Sequence, residues 1–356
     1  MKFGKTLMQL AQELERQNNA KHDYLVDSRN LEFGTVGDES QIALVNPTTN
    51  TKQILRVNDY AHRQIGTFLG IPAKYYDTMR QRYPDLLAQN INGWFNHDPS
   101  ERMVRTLDGA VRAVLSPKYR RIDNYQVAET VLPIIAQIKD ARIESCEVTE
   151  TKMYIKVVNE RLTAEVTPGD VVQSGILISN SEVGAGSMAI QPLVYRLVCS
   201  NGMVVNDAAT RKYHVGRRAV EANDDFSIYA DETLKADDRA LMLKVRDTVQ
   251  AVVSQVQFDK VVDLMRTAKE AKITTKNIPG MVELANDEYG FSKREGESIL
   301  NHLIRGNDLT LYGLANAVTR AAQDVDGYDR STDMESLGYS VLGMSRSTWN
   351  KLNRVE

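Results

Sequence analysis

Residues 103–115 read Met103-Val104-Arg105-Thr106-Leu107-Asp108-Gly109-Ala110-Val111-Arg112-Ala113-Val114-Leu115, two β-forming runs around an Asp-Gly pair. Asp-Gly accepts the positive φ of a type I′ turn, so the stretch predicts a tight β-hairpin. A basic link follows, Ser116-Pro117-Lys118-Tyr119-Arg120-Arg121-Ile122. Asp123 or Asn124 then predicts the cap of a helix reaching about Gln137, with Val127, Val131, Ile134, Ile135 and Ile138 as its apolar stripe. Strand-like runs come next at 141–149, 153–158, 171–180 and 189–199. A helix laid on a mainly antiparallel sheet is an α+β arrangement, and that is the fold class the sequence predicts.

Working outward, Leu7, Leu10, Ala11 and Leu14 have the spacing of one helix face. Short strands are expected at 25–29, 41–45 and 53–57, the last two forming a hairpin across Asn46-Pro47-Thr48-Thr49-Asn50. Three helices follow: one capped at Asn58 or Asp59, one opened by Pro72, and one over 85–94. Trp94 and Phe95 are expected to close this N-terminal core. After about Thr233 the pattern is helical, over 234–257, 258–271, 278–289, 292–304 and 310–323, with a Ser-x-x-Glu capping box at Ser292 and Glu295. Beyond Asp324 the residues are polar and turn-rich, which predicts a loosely packed tail. The expected organisation is a mixed segment (1–100), a central sheet domain (101–220), a helical region (221–325) and the tail (326–356).

The apolar fraction of 42% and charged fraction of 26% are those of a folded globular chain, so extensive disorder is excluded. The longest apolar runs fall far short of the roughly 20 residues that span a bilayer, and the first residues lack the apolar core of a signal peptide. Cys146 and Cys199 are the only cysteines in 356 residues, as in proteins of a reducing compartment, so a cytoplasmic location is expected. Net charge is only −3, but it is unevenly placed. Residues 102–121 carry six Arg or Lys against one Asp, and 194–218 carry five against one. Residues 221–238 carry seven acids against one Lys. Such blocks point to distinct surfaces.

Several phrases resemble a family of phage- and plasmid-like proteins, domain of unknown function 932. They are Gly70-Ile71-Pro72-Ala73-Lys74-Tyr75-Tyr76, Asn90-Ile91-Asn92-Gly93-Trp94, Val104-Arg105-Thr106-Leu107, and Arg112 through Asn124. Arg196-Leu197-Val198-Cys199-Ser200-Asn201-Gly202-Met203, His214-Val215-Gly216 and Tyr312 through Thr319 complete the set. The resemblance implies a gene borne on a phage or plasmid, beside replication, recombination or counter-defence functions. It supplies no catalytic residue.

Two basic, tyrosine-bearing segments are the candidate site. The first comprises Lys118, Tyr119, Arg120 and Arg121, with Arg112 on the strand before it. The second comprises Arg211, Lys212, Tyr213, Arg217 and Arg218. Lysines and arginines neutralise phosphates, helix-start amides favour an anion, and tyrosine stacks on unpaired bases. The expected partner is therefore nucleic acid, single-stranded DNA foremost, bound by an oligomer. The acidic block after Glu221, folded over such a groove, would be self-inhibitory. The alternative is a protein-binding counter-defence factor that inhibits a host enzyme. An enzymatic reading, a metal-dependent nuclease, has the least support. Asp170 and Glu182 stand without a carboxylate cluster, and the cysteines and histidines lack zinc-ligand spacing. No catalytic residue, metal or other cofactor is therefore expected. The pair Cys199 and His214 has nothing local to activate the thiol, and Gly184 and Gly186 suit a hairpin turn rather than a phosphate loop.

Overall fold

A computed structural model describes residues 1–37, 39–206, 211–213, 231–252 and 255–355. Helix α1 (Leu7–Ala20) leads into β1 (His22–Asp27), β2 (Leu31–Val36), β3 (Glu39–Val45) and β4 (Lys52–Val57). Helices α2 (Asp59–Phe68), α3 (Ala73–Arg82) and α4 (Pro84–His97) follow, then β5 (Glu101–Leu107) and β6 (Ala110–Leu115). These six strands form one sheet in the order β1-β5-β6-β4-β3-β2, antiparallel except where β4 and β6 pair at Arg56↔Ala110 and Val57↔Val111. The deciding hairpin forms as predicted, with Asp108 at φ 52° and Gly109 at φ 73°. It closes the N-terminal sheet, however, and does not open the central one. The 1–100 segment lacks its inner strands without β5 and β6, whose Val104 and Val111 lie in its core beside Phe33, Ile42, Leu55 and Ile65.

On α4 the buried stripe is Leu87, Ile91 and Phe95. Trp94, one residue before Phe95 and rotated away from it, is 47% exposed and does not close the core. Asn92 exchanges two 2.7 Å hydrogen bonds with the backbone of Phe33, accepting from its N–H and donating to its C=O. It thereby satisfies part of the open edge of β2.

The second sheet is antiparallel: β7 (Ala141–Val148), β8 (Met153–Glu165), β9 (Val171–Asn180), β10 (Met188–Arg196) and β11 (Asn201–Val204). The short β12 (Arg211–Tyr213) also pairs with β10, at Met188↔Tyr213 through Ile190↔Arg211. Helix α5 (Asn124–Gln137) lies on this sheet, giving the predicted α+β architecture, with α1 and α6 (Asp231–Val252) beside it. Met153, Ile155 and Val157 face these helices, yet the alternating Tyr154, Lys156 and Val158 are buried too. Burial on both faces requires a second covering layer.

That layer is helical: α7 (Gln255–Glu270), α8 (Ile278–Tyr289), α9 (Lys293–Gly306), α10 (Leu311–Ala321), α11 (Tyr328–Leu342) and α12 (Arg346–Leu352). The Ser292/Glu295 capping box is present at α9. Nearly every residue of α10 is buried, the central helix of a cluster that includes Phe258, Met281, Ile299 and Val318. Cys199, expected in a strand, lies in the turn after β10.

The expected tail is a correction. Helices α11 and α12 are packed, and Met334, Val341, Leu342 and Leu352 are core residues. Periodicity misses α11 because its buried face also holds Ser331, Thr332, Glu335 and Gly338. Gly338 permits a close helix approach, since a Cβ there would lie 2.3 Å from Thr319 Cγ2. Glu335 meets Lys156 Nζ at 2.6 Å, both side chains essentially without exposure. Removing one partner of a buried pair strands the other charge, at a cost of about 3–5 kcal/mol. Lys156→Met alone is expected to lower the urea midpoint sharply, whereas Lys156→Met with Glu335→Met recovers most of the loss. An unchanged midpoint in the single variant would show that α11 is not held in this way.

Candidate nucleic-acid interface

The basic link divides between the inside and the outside of the fold. Arg112, on β6, is 6% exposed and forms an ion pair with Glu182. Tyr119 turns inward, donating its hydroxyl to the Ser181 carbonyl at 3.0 Å, and burial pushes its phenol up to about 12. Neither side chain forms part of an exposed binding surface. Lys118 and Arg121 are exposed. Arg120 is intermediate: its side chain is 12% exposed, with Nη1 3.0 Å from Asp237 Oδ2 on α6.

The inward half converges on one buried ionic network. Arg105, on β5, has no exposure. Its Nε and Nη2 donate to the two carboxylate oxygens of Asp23 at 2.8 and 3.1 Å. Nη2 also donates to Asp123 Oδ1 at 2.8 Å, and Nη1 to the Glu182 carbonyl at 2.7 Å. Lys21, just past α1, lies 2.8 Å from the other Asp123 oxygen. Asp123 was expected to cap α5 but makes no cap bond there. Glu182 supplies the anion instead, accepting from the Asn124 N–H at 2.6 Å. A carboxylate at a helix N-terminus is favoured by the helix dipole. The same occupancy means that this amide is not an open phosphate site, contrary to the reading from sequence.

Glu182 belongs to the loop joining β9 and β10, the Gly-x-Gly stretch that the sequence assigned to a hairpin turn. Gly184 has φ 78°, and Ser181 Oγ accepts from the amides of Val183 and Ala185 at 3.3 and 2.9 Å. Gln64 ties this loop to the first sheet, donating to the Val183 carbonyl at 2.8 Å and accepting from the Val114 amide at 2.9 Å. Asn180 donates to the Ile122 carbonyl at 2.9 Å and to Asn124 Oδ1 at 2.8 Å. Thus the loop is a pedestal on which the link between β6 and α5 rests.

The outward half borders a groove of about 760 Å³ between α5 and α6. Ile122, Leu241, Met242 and Leu243 line it, Arg121, Arg239 and Arg246 supply its basic groups, and Glu129 is its one acid. Arg246 shares its charge with Asp247 at 2.9 Å. Arg239 and Arg246 were missed from sequence because they belong to no basic run; only the packing of α6 on α5 brings them beside Arg121.

The second basic segment is placed in part. Arg211, Lys212 and Tyr213 form β12, which pairs with the first residues of β10 immediately after the Glu182 loop. Both candidate segments therefore flank one loop. Arg217, Arg218 and His214 lie outside the described residues.

The carboxylates considered for a nuclease are otherwise engaged. Asp170 accepts from Arg196 at 2.6 and 2.9 Å and from the Tyr312 hydroxyl at 2.9 Å. Among the described residues no group of three His, Cys, Asp or Glu is placed to hold a metal ion. His62 is buried against the Tyr76 hydroxyl at 2.9 Å, and burial pushes its pKa down to about 4. A second cleft, of about 650 Å³ between α9 and α10, mixes Arg294, Arg305 and Arg320 with Glu297, Asp324 and Asp326 and offers no one-sided field. No helix among the described residues is long and apolar enough to cross a membrane.

The family model described as Domain of unknown function (DUF932) matches residues 111–342, well over half of the 356. The matched span runs from β6 to the end of α11 and so includes the link, the pedestal loop and both groove helices. No curated protein and no solved structure matches the chain.

Burial alone would raise the Asp123 pKa, but Arg105 and Lys21 outweigh it and hold the carboxyl below its ordinary value of 3.8. With the folded pKa depressed, the contribution to stability is complete above about 3.8 and is lost as pH falls through the lower folded value. Asp123→Asn is therefore expected to unfold at lower urea than wild type at pH 7, with the gap closing below about pH 4. A gap that is absent at pH 7, or constant down to pH 2, would contradict the network.

Proposed function

We propose that this chain, which belongs to the Domain of unknown function (DUF932) family, binds single-stranded nucleic acid along the α5–α6 groove. The observation that carries the reading is an apolar trough in which three arginines, Arg121, Arg239 and Arg246, outnumber one carboxylate, Glu129. Cationic side chains take backbone phosphates, and an apolar floor takes the faces of bases that no partner strand covers. A duplex keeps its bases stacked inside and gains only the phosphate contacts. β12, the strand that carries Arg211 and Lys212, pairs with β10 just after the pedestal loop. The chemistry is binding without turnover, in the cytoplasm of a host that carries the gene on a phage or plasmid, and serves strand handling in recombination or replication.

The exposed face of α4 supports a second reading, docking to a host protein. Leu86 and Trp94 are 44% and 47% exposed, and aromatic side chains are enriched at protein interfaces.

Fluorescence anisotropy of labelled single-stranded and duplex DNA at two salt concentrations separates these readings. Wild-type protein freed of nucleic acid is expected to prefer the single strand and to weaken steeply with salt. The triple variant Arg121→Gln, Arg239→Gln, Arg246→Gln should lose affinity and flatten the salt slope by about 2, at about 0.7 per single-strand phosphate contact. Absence of wild-type binding at low salt would reject the proposal and favour the host-protein reading. Wild-type binding that survives the triple substitution would exclude this groove.

A further inference from the structure

Arg120 is the one cation of the link that is neither buried in the network nor open to solvent. Its Nη1 lies 3.0 Å from the carboxylate of Asp237, which is itself 63% exposed. Asp237 belongs to the acidic block of 221–238, and Arg120 to the basic block of 102–121. The approach is fixed by packing. Asp237 precedes Leu241 by one helical turn and so shares its face of α6. Leu241, Val245 and Val249 of α6 are locked into the core with Val127 and Val131 of α5. The apolar stripe of α6 thus sets a carboxylate against the guanidinium.

We propose that Arg120 is an anion site already filled from within: the Asp237 carboxylate stands where a phosphodiester of the bound strand goes, so α6 competes with the ligand for Arg120. The proposal rests on the groove reading above and adds regulation to it. A carboxylate and a phosphodiester each offer two oxygens to the planar guanidinium fork, so one replaces the other without a new charge arrangement. An ion pair with an exposed partner is worth little, so a phosphate can displace it, but every binding event must first break it. The consequence is an affinity held below what the groove's cations would otherwise give.

The test is anisotropy of a labelled oligothymidylate with wild type, Asp237→Asn, Arg120→Gln and the double variant, over a salt series. Asp237→Asn is expected to bind about two- to fivefold tighter, the inverse of what a surface ion pair contributes. In the Arg120→Gln background the same substitution should leave affinity unchanged. Wild-type binding that Asp237→Asn leaves unaltered in affinity would overturn the competition and spare the groove reading. Equal tightening with and without Arg120 would also overturn it, because the effect would then be one of general charge. If neither wild type nor Asp237→Asn binds at low salt, the groove reading fails and takes this proposal with it.

Discussion

A guanidinium without solvent must have its donors satisfied by protein, and Arg105 places four of its five N–H bonds on Asp23, Asp123 and the Glu182 carbonyl. These partners come from β1, the start of α5 and the β9–β10 loop, so one side chain joins the first sheet to the second. Burial by itself would make Arg105 easier to deprotonate; Asp23 and Asp123 more than offset that effect. Such networks contribute less to net stability than their geometry suggests, because each ion gives up its hydration. What this one does is fix register. Arg112, Glu182 and the Asn124 amide form its second half, and together they set where β6 ends and where α5 begins.

That constraint decides which cations face solvent. Between Leu115 and Asn124 the chain must keep Tyr119 on the Ser181 carbonyl, and Asp123 on Arg105 and Lys21. With those positions turned inward, Lys118 and Arg121 are left outside and Arg120 points toward α6. The groove is then completed by a helix more than a hundred residues further along the chain. Its apolar floor is continuous with core residues, Ile122 and Leu241 being common to both. Binding in it therefore bears on the packing of α5 against α6.

Where local pattern carries the information, the fold was legible in the sequence. The Asp-Gly turn, the stripe of α5, the alternation of the central strands and the Ser292 capping box each depend on neighbours within a few residues. The failures are non-local. Helix α11 buries Glu335 and Gly338 because Lys156 and Thr319 meet them from elsewhere in the chain, and no periodicity signals that. The β5–β6 hairpin was recognised but assigned to the wrong sheet, since its partners β1 and β4 are set by the crossover through α2–α4. Within the site, composition drew attention to the link but could not separate Arg112 and Tyr119 from Lys118 and Arg121. A buried arginine and an exposed one look alike until the carboxylate is located, and here it is Glu182, 70 residues away. Asp23 in the network and Asn180 at the pedestal gave no signal because each is ordinary in its own strand context.

The central claim is that one surface, the link from Lys118 to Arg121 together with the facing turns of α6, receives a single strand of nucleic acid. Hydrogen–deuterium exchange of the full chain, with and without saturating oligothymidylate, tests it most directly. The account predicts slowed exchange confined to about residues 116–126 and 237–247, with β2 and β3 at the far edge of the first sheet unchanged. Protection absent from both segments while the oligonucleotide is bound, or concentrated on α3 and α4, would place the site elsewhere and contradict the account.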